Sequence, residues 1–409
     1  MHYVIIGNGG AGVSALQTIR KVDKKSDITI ISREKYPTYS PCSLPNLLAG
    51  EVDKPTIFRF NKQFYYRLNA RFLKNKEVLQ IIPQSKKIKF SNNKSITFDK
   101  LLIAVGAKPI IPKGICGLEL GGVHTISTLD SVLGILSQLK QSINHAVVVG
   151  GGFMGIETAT MLKKQGIDVS IVEMLPCILS RMLDPDISNK VAEILKEKGV
   201  KLVLNERVRR INGDKTVNSV SLKNKKLQCD MVIIAIGVVP NIDILHNSGI
   251  TVNHGVMVDS TMQTNKRDIY AAGDITEVRE NISGSQGSFA IWPNAIEQGR
   301  IAGLNMTGIK TMYDGAEIVN VLNVFNTPIV AMGFTSKELG KCKIISRFTP
   351  HSSKKILLKN NRIFGLQFVG TIRNAGTFYS LMKNAIDISS FKKRLLDDNF
   401  ITVPEVTSS

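Results

Sequence analysis

Two copies of one glycine pattern place narrow limits on how this chain of 409 residues can fold. In each copy an apolar run of four residues precedes the pattern G-x-G-x-x-G, and an amphipathic segment and a second apolar run follow it. This context predicts a strand, a tight turn, a helix and a second parallel strand, as in dinucleotide-binding domains. The second glycine lets a pyrophosphate approach the backbone, beside the helix N-terminus. The glycines are Gly7, Gly9 and Gly12 in the first copy and Gly150, Gly152 and Gly155 in the second.

A second repeated block supports the duplication. The segments DKLLIAVGAKP and DMVIIAIGVVP each follow a predicted hairpin. From Asp99, Gly106 stands seven residues on and a proline ten, and from Asp230 the same offsets lead to Gly237 and a proline. We therefore predict two related dinucleotide-binding domains.

The end of the second strand indicates which nucleotide each domain holds. Glu173 lies 18 residues after Gly155, close to the spacing of an acid that binds a ribose 2′-hydroxyl. No arginine follows it to bind a 2′-phosphate, which favours NADH over NADPH. In the first copy Ser32 takes that position, and Glu34 is the candidate ribose ligand.

The formal net charge of +20 could attract polyanions such as phosphorylated cofactors, acidic carrier proteins or nucleic acid. The lysines are scattered and not interleaved with aromatic residues, so we expect no nucleic-acid partner. Lys, Asn and Ile are all frequent, as an AT-rich genome would give. This favours base composition as the source of most of the charge.

No apolar run is long enough to span a bilayer, and we expect no transmembrane segment. The longest run, residues 231–239, predicts a buried parallel strand. Residues 1–12 lead directly into a strand and a glycine turn, so we expect no secretory signal. Five dispersed cysteines without a C-x-x-C pair predict neither a disulfide framework nor a metal site. A reducing cytoplasm is the expected compartment.

The C-terminal quarter predicts an α+β domain. Residues 317–325 have a strand pattern, residues 355–369 predict a hairpin, and residues 374–385 place their apolar side chains on one helix face.

These motifs together resemble the FAD-dependent pyridine nucleotide–disulfide oxidoreductases, through residue 305 and more loosely beyond it. GNGGAG, LLIAVGAKP, VVVGGGFMGIE, IYAAGD and AIEQGRIAGLN carry the resemblance. It implies an α/β fold with FAD in the first Rossmann-like domain, NADH in the second, and a C-terminal α+β domain that forms a homodimer interface. The expected domains are 1–112 and 241–310 for FAD, 113–240 for NAD, and 311–409 for the interface.

The resemblance also assigns cofactor residues. Asp274 matches the aspartate that binds the flavin ribityl chain, and the helix from Ala295 matches one whose N-terminus faces the flavin. The expected FAD ligands are Gly7, Gly9, Gly12, Glu34, Gly106, Asp274 and Ala295. The expected NAD ligands are Gly150, Gly152, Gly155, Glu173 and Gly237.

Cys42, within SPCSLP, resembles the redox cysteine of the single-cysteine branch of this family, which includes NADH oxidases and coenzyme A disulfide reductases. The two-cysteine branch needs a second cysteine where this chain has Leu47, and its His-Pro pair does not occur here. Cys42 precedes a predicted helix with Pro45 in its first turn, a setting that favours the thiolate. We therefore predict that Cys42 is catalytic and not a buried structural thiol.

Two differences from the pattern of the single-cysteine branch narrow the range of expected activities. Family members with peroxidase chemistry have a histidine where this chain has Gly10, which disfavours a dedicated peroxidase. The Tyr-Ala-Pro-Pro context of the coenzyme A enzymes does not occur in residues 390–409, which disfavours coenzyme A specificity.

Three functional hypotheses follow. In the first, NADH reduces the flavin and Cys42 passes the electrons to a small disulfide, a persulfide or oxygen. In the second, the flavin reduces an acidic carrier protein such as a ferredoxin or rubredoxin, and Cys42 has no catalytic role. In the third, the protein is a nucleotide-binding redox sensor.

Overall fold

A computed structural model of the chain describes residues 1–397 and Phe400. The strands are β1 His2–Ile6, β2 Asp27–Ile31, β3 Ala70–Leu73, β4 Val78–Ile82, β5 Lys87–Phe90, β6 Ser95–Thr97, β7 Lys100–Ile103, β8 Ala107–Pro109, β9 Val123–Thr125, β10 His145–Val149, β11 Asp168–Val172, β12 Lys201–Val203, β13 Arg210–Gly213, β14 Val217–Ser221, β15 Lys226–Gln228, β16 Met231–Ile234, β17 Val238–Pro240, β18 Val256–Met257, β19 Ile269–Ala271, β20 Thr276–Arg279, β21 Gln286–Gly287, β22 Val319–Val324, β23 Thr327–Gly333, β24 Lys343–Phe348, β25 Ser353–Lys359 and β26 Arg362–Val369. The helices are α1 Gly10–Val22, α2 Leu44–Leu48, α3 Lys62–Arg67, α4 Leu129–Leu139, α5 Phe153–Lys164, α6 Pro185–Glu197, α7 Trp292–Met306, α8 Ser336–Leu339 and α9 Ala375–Lys383. No helix in this described part of the chain is long and apolar enough to cross a membrane.

The first compact unit comprises residues 1–110, 127–129 and 238–317. Its main sheet has the order β19-β7-β1-β2-β3, and every neighbouring pair is parallel. The central strands are apolar on both faces because α1 and α7 cover one side and a second apolar cluster covers the other.

The second unit comprises residues 111–126, 130–237 and 318 onward. Its parallel sheet has the order β12-β11-β10-β16-β9, so the strand before the glycine pattern is central here as well. In the first sheet β1 lies between β2 and β7, and in the second β10 lies between β11 and β16. The equivalent pairing confirms the predicted fold class, with two Rossmann-like sheets built from duplicated sequence.

The apolar run at residues 231–239 is divided in the structure. Its first part forms β16, which pairs in parallel with β10, but Gly237 has a φ of +114° and the chain turns there. The remainder forms β17, which pairs antiparallel with β8. The prediction of one continuous strand was therefore wrong, because the glycine in the run permits a turn that its neighbours do not.

The C-terminal residues form an antiparallel sheet with the order β22-β23-β26-β25-β24. The predicted hairpin is present, and Asn360 and Asn361 take the left-handed conformations that its two-residue turn requires. The predicted helix is α9, and its buried Phe378 packs edge-on against Phe368 of β26. Residues 398, 399 and 401–409 lie outside the described residues, and the division into 1–112, 113–240, 241–310 and 311–409 stays a prediction.

Candidate functional site

Four chain segments meet at the carboxyl edge of the first sheet. Gly7 follows β1, Ser32 follows β2, Ala104 follows β7 and Gly273 follows β19. In an open parallel sheet this edge is where ligands bind. The topology therefore brings together the first glycine loop, Glu34 and Asp274. Gly7 and Asp274 are 267 positions apart in the sequence.

The first glycine loop has the geometry of a phosphate cradle. Gly7 has a φ of +117°, and a side chain there would overlap the Ala104 carbonyl oxygen. A side chain at Gly12 would overlap the Gly7 carbonyl oxygen, so this glycine lets α1 pack against β1. At Gly9, by contrast, an added Cβ would meet no atom within 4 Å. The space over Gly9 is open, as binding of a pyrophosphate requires.

Asp274 has the chemistry of a hydroxyl acceptor. Gln298 of α7 holds the preceding turn, because its Oε1 accepts bonds from the Gly273 amide at 2.8 Å and from Thr276 Oγ1 at 2.9 Å. Burial raises the pKa of the Asp274 carboxyl to about 6, and its own backbone amide only partly opposes the shift. A bound hydroxyl that donated to this carboxylate would relieve the cost of burial. The residue therefore fits the ribityl chain of FAD.

The α7 helix begins earlier than predicted. Its first residue is Trp292, and the Ala295 amide donates to the Ile291 carbonyl at 3.1 Å. Ala295 thus lies inside the first turn, and its amide is not available to a ligand. The first-turn amides without an intrahelical acceptor are those of Trp292 and Asn294, since Pro293 has none. Pro293 explains the early start, because proline is favoured in the first helical turn.

Trp292 also explains the glycine at position 10. A Cβ on Gly10 would lie 3.1 Å from the Trp292 ring and 3.2 Å from Ile296 Cδ1. The indole ring therefore fills the space that a histidine side chain would need. Gly10, which stands where the peroxidase pattern has a histidine, is thus matched by the bulky side chain of Trp292 on α7.

Glu34 lies half-buried after β2 and contacts a tyrosine of the Cys42 loop. The Tyr39 hydroxyl donates to Glu34 Oε2 at 2.9 Å and accepts a bond from the Leu129 amide at 3.0 Å. A carboxylate has several acceptor positions, so a bond from Tyr39 is compatible with a ribose hydroxyl at the same group.

Cys42 is exposed on the loop that follows β2. It lies in a single 3₁₀ turn, Pro41–Ser43, and α2 after it has only five residues. Pro45 is in the first turn, as predicted. The helix is too short for its dipole to be a strong cause of thiolate formation, so that part of the sequence argument is weaker than expected.

The second glycine loop repeats the first. Gly150 has a φ of +110°, a side chain at Gly155 would overlap the Gly150 carbonyl oxygen, and Gly152 has open space around it. Glu173 Oε2 accepts a bond from the Gly151 amide at 2.6 Å, and its Oε1 accepts one from the Leu175 amide at 2.8 Å. The Glu173 carboxylate therefore lies against the glycine loop at the end of β11, where a ribose hydroxyl would bind.

Glu157 was missed by the sequence reasoning. It lies on α5 one turn beyond the second glycine loop and is half-buried, and burial raises its pKa to about 7. A carboxyl with a perturbed pKa next to a nucleotide loop is a candidate for contact with the ligand. The motif VVVGGGFMGIE ends on this residue, and that was the available signal.

The two remaining glycines of the prediction lie in turns. Gly106 has a φ of +67° and its carbonyl accepts a bond from the Asn241 amide at 3.0 Å, while Gly237 has the positive φ noted above. Both glycines therefore permit the backbone turns that lead into β8 and β17. Direct contact of either glycine with a nucleotide stays a prediction.

The other four cysteines differ from one another in exposure. All five cysteines are described, and none forms a disulfide. Cys229 is buried, which raises its pKa to about 12, while Cys116 is exposed. Within residues 1–397 and Phe400, no group of three or more His, Cys, Asp or Glu side chains could hold a metal ion.

Comparison with known proteins adds to this geometry. Residues 1–299 match the model of the pyridine nucleotide-disulphide oxidoreductase family. An NADH oxidase of Methanocaldococcus jannaschii is 31% identical over 96% of this chain and 92% of its own length. The epsilon subunit of an NADH-dependent phenylglyoxylate dehydrogenase of Aromatoleum evansii is 28% identical over 99% of this chain and 97% of its own length.

A solved structure shares both the fold and the topology. The NAD-dependent persulfide reductase of A. fulgidus superposes with a TM-score of 0.90 at 27% identity, over 96% of this chain and 79% of that one. The family match covers well over half of the chain. The chain therefore belongs to the pyridine nucleotide-disulphide oxidoreductase family and is an oxidoreductase that uses FAD and NADH.

Proposed function

We propose that this protein transfers electrons from NADH to a small disulfide or persulfide, or to oxygen, with Cys42 as the group that meets the acceptor. The observation that carries the proposal is the exposed Cys42 on a loop at the carboxyl edge of the FAD-type sheet. The same loop contacts Glu34 through Tyr39, so the thiol and the proposed cofactor residues belong to one edge.

The residues that would hold FAD are the first glycine loop, Glu34, Asp274 and the first turn of α7. Bound FAD supplies a ring that accepts a hydride and returns an electron pair. Asp274 would orient the ribityl hydroxyls, and the Trp292 and Asn294 amides would stabilise negative charge at the helix end. Gly150, Gly152, Gly155 and Glu173 would hold NADH in the same way.

Cys42 would act as a nucleophile on a disulfide acceptor. Its thiolate attacks one sulfur, a mixed disulfide forms, and the other half leaves as a thiolate that takes a proton. The two electrons and the proton that NADH gives up as a hydride would then reduce the mixed disulfide, restoring the Cys42 thiolate and releasing the second half as a thiol. The balance is NADH, one disulfide and one proton converted to NAD⁺ and two thiols.

The open space at Gly9 and Gly152 allows a paired test of both nucleotide sites. Gly9→Ala adds a methyl group that meets no protein atom, at a φ of −83° that alanine tolerates. We expect its stability to stay within about 0.5 kcal/mol of wild type. The methyl group would occupy cofactor space, so we expect the FAD dissociation constant, measured by quenching of the single tryptophan, to rise about tenfold or more.

Gly152→Ala is the matched variant, since its Cβ also meets no protein atom. We expect it to raise KM for NADH while leaving FAD affinity unchanged. Loss of FAD from Gly152→Ala, or unchanged FAD affinity in Gly9→Ala, would contradict the assignment of the two loops.

The nucleotide preference can be reversed at the end of β11. Glu173→Ala removes the carboxylate that favours a 2′-hydroxyl, and Met174→Arg adds a cation for a 2′-phosphate at a side chain that is already 68% exposed. We expect kcat/KM for NADH to fall about 100-fold in the double variant and that for NADPH to rise. Steady-state kinetics with both nucleotides measure this, and retained NADH preference would rule out Glu173 as the ribose ligand.

A second candidate function is reduction of an acidic carrier protein by the flavin. A cleft of about 520 Å³ lies beside the Cys42 loop and is lined by the cations Lys54 and Arg59 and the rings of Phe58 and Phe60. An acidic surface would be attracted to these cations. The Aromatoleum relative is itself a subunit of a larger enzyme. Activity of a Cys42→Ser variant with disulfide and with carrier proteins decides between the two candidates.

We also propose that the protein forms a homodimer through its C-terminal sheet and works in the cytoplasm. The edge strands of this sheet expose apolar side chains, among them Val321 of β22 and Phe348 of β24. Light scattering would give twice the chain mass of 44.9 kDa for a dimer, and the single chain mass would contradict it.

A further inference from the structure

The loop that leads to Cys42 is fastened to the first glycine loop by three side chains. Asn8 stands between Gly7 and Gly9, Thr38 lies four residues before Cys42, and Tyr65 is on α3. Thr38 is 3% and Tyr65 2% exposed. These three residues, Asn8, Thr38 and Tyr65, are called the clamp below.

The clamp is a closed set of hydrogen bonds. The Tyr65 hydroxyl donates to Asn8 Oδ1 at 2.8 Å and accepts a bond from the Thr38 amide at 3.2 Å. Thr38 Oγ1 donates to the Asn8 carbonyl at 2.9 Å. Each hydroxyl hydrogen is therefore used once, and the backbone of the glycine loop is held directly by Thr38.

Aromatic packing fixes the tyrosine itself. The Tyr65 ring stacks on Phe72 of β3 with centroids 4.2 Å apart, and Phe64 meets it edge-on at 5.2 Å. Burial raises the pKa of Tyr65, which keeps the hydroxyl protonated and able to donate. The clamp is thus anchored to the main sheet and not only to the two loops.

Backbone hydrogen bonds connect Thr38 to the turn that contains Cys42. The Arg59 amide donates to the Thr38 carbonyl at 2.9 Å, and the Ser40 amide donates to the Ile57 carbonyl at 3.2 Å. The Ser43 amide then donates to the Ser40 carbonyl at 3.0 Å and closes the turn that contains Cys42. A shift at Thr38 therefore moves the segment that positions the sulfur.

We propose that Asn8, Thr38 and Tyr65 are positioning residues that set the placement of the Cys42 thiol relative to the glycine loop that holds the cofactor pyrophosphate. The inference rests on the proposed function, since it concerns how Cys42 is placed for its reaction. None of the three would need to touch the acceptor. Their effect would come from the distance they fix, to which electron and group transfer are sensitive.

Tyr65→Phe tests the clamp in the FAD-loaded enzyme, because it removes only the hydroxyl. Tyr3→Phe is the matched control: Tyr3 is also 2% exposed, and its hydroxyl bonds to Asp23 at 3.2 Å, away from the loop. We expect Tyr65→Phe to lower kcat with a disulfide acceptor about tenfold without raising KM for NADH. We also expect a change in the rate of Cys42 alkylation by iodoacetamide, measured on the Cys42 peptide, and a shifted thiolate-to-flavin absorption band. Tyr3→Phe should change neither.

Equal loss of thermal stability in both variants, with the Cys42 alkylation rate and the absorption band unchanged in Tyr65→Phe, would overturn the proposal. The pair Thr38→Val and Thr38→Ser provides a second test that keeps Tyr65 intact. The serine keeps the hydroxyl and should retain wild-type alkylation and kcat, while the near-isosteric valine should not. If Cys42→Ser kept full turnover, the proposed catalytic role would fail, yet alkylation would still report whether the clamp places the thiol.

Discussion

Replacing Cys42 by serine is expected to lower NADH-dependent reduction of a disulfide or persulfide about a thousandfold or more, because a hydroxyl neither attacks sulfur nor stores an electron pair. Serine is close in size and the site is exposed, so FAD content and thermal stability should not change. The measurement is kcat/KM with a small disulfide in the FAD-loaded enzyme.

Cys116→Ser is the control for this variant, since Cys116 is also exposed and has no predicted role. It should retain wild-type activity. If Cys42→Ser reduced the disulfide at the wild-type rate, Cys42 would have no catalytic role. If Cys42→Ser lost the disulfide activity but reduced a ferredoxin or rubredoxin at full rate, the flavin would pass electrons by two separate routes, one through Cys42 and one to the carrier.

Lys355→Met is expected to lower the free energy of unfolding by about 3–5 kcal/mol, because it strands a buried carboxylate. Lys355, 6% exposed, lies 2.8 Å from the carboxylates of both Asp184 and Asp186, and Asp184 is 2% exposed. The contact joins the start of α6 to β25. Urea unfolding measures the loss, and Lys190→Met, which breaks an exposed pair with Glu193, should cost less than about 1 kcal/mol.

The stability deficit should depend on pH with a definite sign. Burial would raise the pKa of Asp184, but the Lys355 ammonium and the Ser336 amide outweigh it and hold the pKa below its ordinary value. The ion pair therefore stabilises the fold above the ordinary carboxyl pKa of about 4, and this contribution is lost as the pH falls through the folded pKa. Lys355→Met removes the ammonium, so we expect burial to raise the pKa of Asp184 relative to its value in the wild-type fold. The deficit should be largest at neutral pH and shrink in acid, and a deficit independent of pH would contradict the assignment.

The main elements of the fold could be predicted because they depend on local sequence. Gly7 and Gly150 follow apolar runs and precede helices, and only glycine tolerates their φ values of +117° and +110°. That pattern was enough to predict both parallel sheets. It failed within residues 231–239, where periodicity alone does not show that Gly237 reverses the chain.

The parts of the site that escaped prediction depend on contacts between distant residues. Nothing local marks Asn8 as a partner of Tyr65, 57 positions away, or Lys355 as the partner of Asp186, 169 positions away. The start of α7 was placed too late because the resemblance begins at Ala295, whereas Pro293 favours the helix start in the chain itself. Packing of Trp292 beside Gly10 likewise becomes visible only in three dimensions.

Anaerobic titration of the purified enzyme with NADH tests the central claim most directly. If Cys42 is a second redox centre beside the flavin, enzyme in which Cys42 has first been converted to the mixed disulfide with the acceptor should take up about four electrons per FAD and produce a long-wavelength thiolate-to-flavin band. Uptake of about two electrons without that band would mean that the flavin acts alone, and it would contradict a redox role for Cys42.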